Sequence, residues 1–570
     1  MEQKVTGNPF VMYLDKFNVL SPNHSKIYDE YNRDAESEGS FEFTIATKIE
    51  KHLKDIFLRS PHSVILTGNA GDGKTRLCRL IHDQFSNNPL MSWPENGIIT
   101  VQYEKGTIKI VKDLSELKEE VVYDILSELQ CYVCNRHKES VFFLIAANEG
   151  KLSKVLMRYN ELSVLRQHIM ERFDSHENNN DQLSVINLLD VTSSVYVERV
   201  LNEWNKEEYW KSCEECEKKT QCIIYLNHRR TSRPAIQQKI VDQYRLLDYL
   251  EAHITLREML IHVSYLITGG YICKDILEAD HTQICDQSKK VYYQNFYGVG
   301  IGEEAFSEMK ALRIFRSLDP GLYSYSQVDD FIIHGDINGD EEIERLYDRV
   351  FDNDLDMEFD YFRKKIRFYR EYGQNIDQSF FEHWMPRLRR KVYFELEDRK
   401  YLNTLKLLPF EYLEQYISLF NNNNAQNSIR KELINGLNRA FSRRLIQKFK
   451  SKGSFYLKVS NETLMIYGSF DRRRIELLQE DERSDLDHLP SKFFLVVDGE
   501  VKLKINLSVF EYLMRLSSGG THNILSQEVE ILLNTFRNEL IRISKPDMDV
   551  LEIYRLDRDS GVYVEHELDE

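Results

Sequence analysis

Short unbroken apolar runs alternate along this chain with stretches in which apolar residues recur at every third or fourth position. Val64 to Thr67 and Val141 to Ala147 are apolar enough to be strands buried on both faces, and Ser184 to Asp190 reads as another strand. Ile98 to Tyr103 and Thr107 to Val111 add two further β-like runs. Between them, Ile45, Ile49, Leu53 and Phe57 predict a helix within residues 41–58, and Leu77, Leu80, Ile81 and Phe85 predict one after residue 75. A charged helix runs to about Asn135, and residues 151–173 are helical and basic. Strand, helix and strand in this order predict a parallel sheet flanked by helices.

Beyond residue 191 the pattern changes. Residues 192–285 read as mainly helical, with Thr255 placed to cap a helix whose first turn holds Arg257. Residues 290–340 are rich in Gly, Asp and Tyr and read as a connection; 341–450 are helical and charged. Runs at Phe493 to Val497, Val501 to Ile505 and Leu551 to Leu556 predict a small β-rich end. The expected division is an arm over 1–40, a core over 41–191, a helical lid with a Cys-rich insertion over 192–290, a helical middle region over 291–450 and an α+β domain over 451–570.

The first strand runs into Gly68, Asn69, Ala70, Gly71, Asp72, Gly73, Lys74 and Thr75, with Arg76 following. This is a P-loop: glycines let successive N–H groups turn around phosphate oxygens, Lys74 reaches the β- and γ-phosphates, and the Thr75 hydroxyl ligates Mg²⁺. ATP and Mg²⁺ are the expected ligands. Hydrolysis also needs a metal-holding carboxylate, a base for water and a cation for developing charge. Asp113, ending a β-run, is the candidate carboxylate; Leu114 follows it where a second acidic residue is usual, so Glu116 or Glu149 must serve as base. Asn148 suits a water-positioning sensor. A competing assignment makes 141–149 the metal-binding strand, with Asn148 in place of Asp and Glu149 as base. Arg257 is a candidate second sensor and Arg172 a candidate finger toward a neighbouring copy, each against the alternative of a solvent-exposed helix arginine.

A formal charge of −17 argues against a surface that coats nucleic acid everywhere, although a local basic groove survives such an average. No signal peptide or membrane-length apolar run is visible, so a cytoplasmic protein without a membrane partner is expected. Eight cysteines do not make a disulfide scaffold. Cys131 and Cys134 fall on a helix and read as core thiols. Cys213, Cys216 and Cys222, followed by His228, have the composition of a Zn²⁺ knuckle, with a reduced structural loop as the alternative.

With the P-loop, Asn148, Ile186-Asn187-Leu188 and Thr255-Leu256-Arg257-Glu258 in this order, the first 280 residues resemble an AAA+ ATPase module. The expected fold is therefore an α/β P-loop NTPase of the AAA+ ASCE type, with a parallel sheet and helical lid, followed by a mainly helical region and a small β-rich C-terminal domain. Gly-Asn-Ala-Gly-Asp-Gly-Lys-Thr, Ile-Ala-Ala-Asn-Glu-Gly, the three cysteines, Leu318-Asp319-Pro320-Gly321 and Gly436-Leu437-Asn438-Arg439 further resemble the DptF-type ATPases of DNA-phosphorothioation-dependent restriction and related anti-phage systems. The resemblance implies an ATPase subunit working with other defence-system proteins on foreign DNA.

Basic clusters at residues 363–370, 387–391 and 439–452 interleave with aromatics, as contact with duplex DNA would require; solvated faces or internal ion pairs are the alternative. Two functions follow: an ATP-hydrolysing motor, in a ring of identical subunits, that remodels or translocates DNA, or a STAND-like nucleotide-switched signalling or assembly platform with little hydrolysis and no direct DNA contact. No nuclease constellation stands out, so cleavage is expected of a partner.

Overall fold

The computed structural model describes residues 7–22, 24, 45–134, 140–175, 182–352, 354–358, 361–372, 380–397, 402–421, 423–442, 455–456, 463–465, 469–520, 527–544, 550–556 and 563–569. The chain forms two compact units. One comprises Met1–Arg245, His253–Leu407 and Arg483–His488; the other comprises Leu246–Ala252, Leu408–Glu482 and Leu489–Glu570.

The first unit is built on five strands: β1 (Ser63–Thr67), β2 (Ile98–Tyr103), β3 (Gly106–Val111), β4 (Val141–Ala147) and β5 (Leu183–Asn187). Their order is β2-β3-β4-β1-β5. The pairs β3/β4, β4/β1 and β1/β5 are parallel, whereas β2 and β3 form an antiparallel hairpin. The sheet is therefore mixed rather than wholly parallel. The reason is connection length: only Glu104 and Lys105 separate β2 from β3, and a parallel crossover needs a dozen residues or more.

Every residue of β1 is buried, which explains its unbroken apolar run. The pleat sends Ile65, Ile145 and Val185 to one face, where they pack with Leu126, Leu129 and Leu156. Val64, Leu66, Leu144 and Ile186 face the other way, against Leu53, Phe57, Leu77 and Ile81. Helices Lys48–Arg59 and Lys74–Phe85 thus cover one face, and Glu119–Val133 and Glu149–Arg158 cover the other. Burying each such aliphatic side chain stabilises the unit by roughly 1.5–3 kcal/mol.

A short segment from far down the chain completes this core. Leu486 is fully buried in the second cluster. Asp487 accepts the Lys48 N–H at 2.8 Å and pairs with Arg199 at 2.7 Å, while its carbonyl accepts the Thr192 N–H. Arg483 pairs with Asp190 at 2.6 Å.

Two expected elements are divided. The helical stretch after β4 is two helices, Glu149–Arg158 and Ser163–Ser175, joined by a 3-10 turn at Asn160–Leu162. The strand expected to reach Asp190 stops at Asn187, whose side chain accepts the Leu189 N–H and caps a second 3-10 turn. Residues 290–340 are not a simple connection. They form short helices, among them Tyr292–Asn295, Lys310–Phe315 and Ser326–His334, and bury Tyr292, Tyr293, Phe296 and Tyr297 almost completely. Buried tyrosines need partners for their hydroxyls, and Tyr292 donates to Glu395 and Tyr293 to Asp356, both at 3.0 Å.

The N-terminal helix Pro9–Asp15, capped by Asn8, lies along the helix Leu256–Thr268, where Ser264 donates to the Leu14 carbonyl at 2.8 Å. In the second unit, Ile475–Gln479, Phe493–Val497 and Val501–Ile505 form an antiparallel sheet, and Val550–Leu556 pairs with Tyr563–Asp569 and Thr463–Met465.

Candidate functional site

At the carboxyl edge of the sheet, β1 turns through residues 68–73 into the helix Lys74–Phe85. Gly73, the residue before that helix, has φ 86°, a left-handed conformation that a side chain would resist. Lys74 opens the helix and is only 8% exposed. Its Nζ donates to the Gly68 carbonyl at 2.9 Å and the Asn69 carbonyl at 2.7 Å, closing the loop over itself. Burial pushes the Lys74 ammonium below the usual lysine range, against the opposing pull of Asp72 and Asp113. A buried cation at a helix N-terminus favours an anion.

Around Lys74 the residues are sorted by register. Thr67 pairs with Ala147, and Val111 with Ile145, so Asp113 and Asn148 emerge at neighbouring heights beside the loop. Asp113 accepts the Ser115 N–H at 2.7 Å, and its charge acts on Lys74 and on buried Cys78. Asn148 Oδ1 caps the following helix through the Gly150 and Lys151 N–H groups at 3.1 and 3.4 Å. Glu149 is half-buried in the first turn of that helix. Glu116 is exposed and paired with Lys112 at 3.1 Å. Thr75 is half-buried, Asn69 and Ala70 are exposed, and Arg76 is turned onto Glu50.

The loop also meets the helix Leu256–Thr268. A Cβ at Gly71, where φ is 102°, would press on its neighbours, lying 3.0 Å from Thr255 Oγ1 and 3.2 Å from Arg257 Cβ. Its carbonyl accepts the Arg257 N–H at 3.2 Å. The Arg257 side chain is half-buried, and its charge acts on His24. Asp72, whose side chain is 3% exposed, accepts the Asn69 N–H at 2.6 Å and the His253 Nε2–H at 2.8 Å. The sequence marks Asp72 as one of the expected nucleotide-binding residues but does not mark His253 as its partner. The available signal was a carboxylate inside a glycine-rich loop of P-loop pattern, which calls for a compensating donor.

Other expectations are corrected. Arg172 is 4% exposed and donates to the His168 carbonyl at 3.0 Å, so it turns onto its own helix rather than projecting as a finger. Of the four expected Zn²⁺ residues His228 stands apart, whereas Cys213 lies within electrostatic reach of Cys216 and Cys222. His228 stacks on Trp210 at 4.2 Å between ring centroids, its Nδ1 is 3.0 Å from Asn205 Oδ1, and burial lowers its pKa to about 4. Cys222 Sγ accepts the Tyr225 N–H as a helix cap, and Cys213 shares Asn8 with Cys273. Among the described residues no three His, Cys, Asp or Glu side chains form a metal-binding group.

The basic run at 387–391 faces inward. Arg390 pairs with Asp319 through bonds of 2.8 and 2.7 Å, Lys391 meets Asp356 at 2.5 Å and Glu395 at 3.2 Å, and Arg389 pairs with Asp329. In the run at 363–370, Arg363 pairs with Asp348 and Arg370 with Asp336, leaving Lys364 and Arg367 exposed beside Tyr361, Phe368 and Tyr372. Most of the third run, 443–452, lies outside the described residues. Among the described residues no helix is long and apolar enough to cross a membrane. Comparison with protein-family models, with curated proteins and with solved structures finds no match.

Proposed function

We propose that this chain binds ATP with Mg²⁺ at residues 68–75 and hydrolyses it. The carrying observation is Lys74, a buried ammonium at a helix N-terminus whose hydrogen bonds go to two carbonyl oxygens and which has Asp113 on its side. Backbone N–H groups from Gly71 to Thr75 would cradle the phosphates. Thr75 and Asp113 would hold Mg²⁺, which when bound neutralises charge on the β- and γ-phosphate oxygens. With Glu116 tied to Lys112, Glu149 is the stronger candidate base. The Asn148 amide would orient water, and Arg257 would supply a second cation from its helix.

The strand order supports the AAA+ reading, because the strand ending at Asn148 lies between the loop strand and the strand leading to Asp113. A defence-system role with partner proteins follows from the sequence resemblance, and a ring of copies belongs to the motor reading. Contact with duplex DNA would fall to Lys364, Arg367 and the aromatics beside them, since the run at 387–391 is internally paired. That internal pairing, with the engagement of Glu116, favours a second reading in which nucleotide switches an assembly platform and turnover is slow.

Steady-state hydrolysis and nucleotide binding by wild type and Lys74→Ala, each with and without duplex DNA, separate the readings. Turnover that rises with DNA and vanishes in the variant supports the motor. Tight binding without turnover leaves the switch, and no nucleotide binding at all overturns both.

A further inference from the structure

We infer that His253 is a positioning residue which, through Asp72, fastens the phosphate-binding loop to the start of the helix Leu256–Thr268, so that phosphate affinity and the placement of that helix depend on one another. The inference rests on the nucleotide-site reading above and adds a coupling to it.

Asp72 lies between two glycines of a loop that otherwise favours anions, and its nearly buried carboxylate acts on the same Lys74 that phosphate would use. An uncompensated carboxylate there would repel phosphate and leave a desolvated charge. Two donors meet it. Asn69 N–H bonds to Oδ2 at 2.6 Å and keeps the loop folded, and His253 Nε2–H bonds to Oδ1 at 2.8 Å from 181 residues away in sequence.

His253 does not act on Asp72 alone. Two residues later Thr255 caps its helix in a reciprocal box with Glu258, and the next backbone groups return to the loop through Arg257 N–H and the Gly71 carbonyl. Gly71 makes this approach feasible, because any Cβ there would press on Thr255 and Arg257. A side-chain bond, a backbone bond and a close packing contact therefore join the same two segments. The helix is held elsewhere by Ser264 on the Leu14 carbonyl and by Lys310 near Glu258 at 3.5 Å. Shifting its first turn would pull on Gly71 and Asp72, and reshaping the loop around phosphate would pull on Arg257. Coupling between two such segments is typically worth about 5–150-fold in affinity.

A double-mutant cycle on the full chain tests this, read by equilibrium binding of a fluorescent ATP analogue with Mg²⁺ and by thermal melting. His253→Ala should weaken binding about tenfold. Asp72→Asn keeps an oxygen for the Asn69 N–H while removing the charge that His253 compensates, so the effect of His253→Ala should shrink in its background. In the double variant the carboxylate that needed compensation is gone, and affinity should return to within about threefold of Asp72→Asn. Affinity within about twofold of wild type in His253→Ala, or independent addition of the two single effects, overturns the coupling. If His253→Ala does not fold, Asp72→Asn decides alone: a loss beyond about tenfold overturns the compensation argument. Lys74→Ala keeps the two readings apart. It should abolish binding whatever the cycle shows, and unchanged binding there would sink the nucleotide site and this inference with it.

Discussion

Lys74 and Lys391 are both buried lysines, and their surroundings differ in one respect that decides what each can do. Lys391 is fully buried with Asp356 at 2.5 Å and Glu395 at 3.2 Å, and Arg230 shares both carboxylate neighbours' field. Burial alone would lower its pKa, but Asp356 and Glu395 outweigh it and hold Lys391 above the usual lysine value. Asp356 is correspondingly held down by Lys391 and Arg230 against the upward push of burial. Lys74 has carbonyl oxygens for partners, and there burial prevails. A cation already matched by carboxylates is part of the scaffold. One whose hydrogen bonds go to neutral acceptors, with Asp72 and Asp113 acting on it too weakly to offset burial, stands to gain from an incoming anion.

The contrast can be broken most severely at Lys391. Lys391→Ala should destabilise the fold by roughly 3–5 kcal/mol, because it strands Asp356 and Glu395 in the interior, and denaturant titration would show the loss. A change below about 1 kcal/mol would mean that the network is dispensable. Acid tests a third kind of buried group, one that is stored neutral. His262 is fully buried, accepts from the Tyr244 hydroxyl at Nδ1 and donates from Nε2 to the Phe296 carbonyl, and burial lowers its pKa to about 4. Its contribution is complete above the unfolded value near 6.5 and disappears as pH falls through 4. Stability should therefore drop by about 2 kcal/mol between pH 7 and 5 from this residue, with His228 adding to the loss. A flat profile over that interval would contradict neutral storage.

Smaller effects sharpen the other side. Lys74→Ala should change stability by no more than about 1 kcal/mol, since it removes bonds to carbonyls that can find water, yet it should abolish the rise in melting temperature that the proposed ATP site predicts for wild type. A loss as large as that at Lys391 would make Lys74 a structural residue. Thr255→Ala, which opens the capping box of the helix touching Gly71, should cost about 1 kcal/mol in a melting experiment. An unchanged transition would show that the loop contacts alone hold that helix end.

Much of this contrast was legible in the chain. The glycine-rich loop, β1 and β4 announce themselves because a strand buried on both faces must be continuously apolar, and the Thr255 cap is local chemistry. The antiparallel setting of β2 is not written in apolar pattern, which is the same for either direction; only the two-residue connection carries it. Residues 290–340 looked like a connection because Gly and Asp signal turns, while their tyrosines were in fact core residues with buried hydroxyl partners. The basic run at 387–391 resembled a binding surface because its counter-charges, Asp319, Asp329 and Asp356, lie far away in sequence. His228 followed three cysteines in order but not in space, and Asp72 and His253 met for the same reason in reverse.

The return of Arg483–His488 to the first unit sets a schedule for its birth on the ribosome. The sheet and its helices are all synthesised by Asp190, but the slot filled by Leu486 and the N–H groups met by Asp487 wait for nearly three hundred further residues. At roughly 5–20 residues per second, that is a delay on the order of 15–60 seconds with part of the apolar interior uncovered. A fragment ending before Arg483 would stay in that condition permanently. The first unit is thus a nearly continuous piece of chain that becomes whole only when the second is well under way.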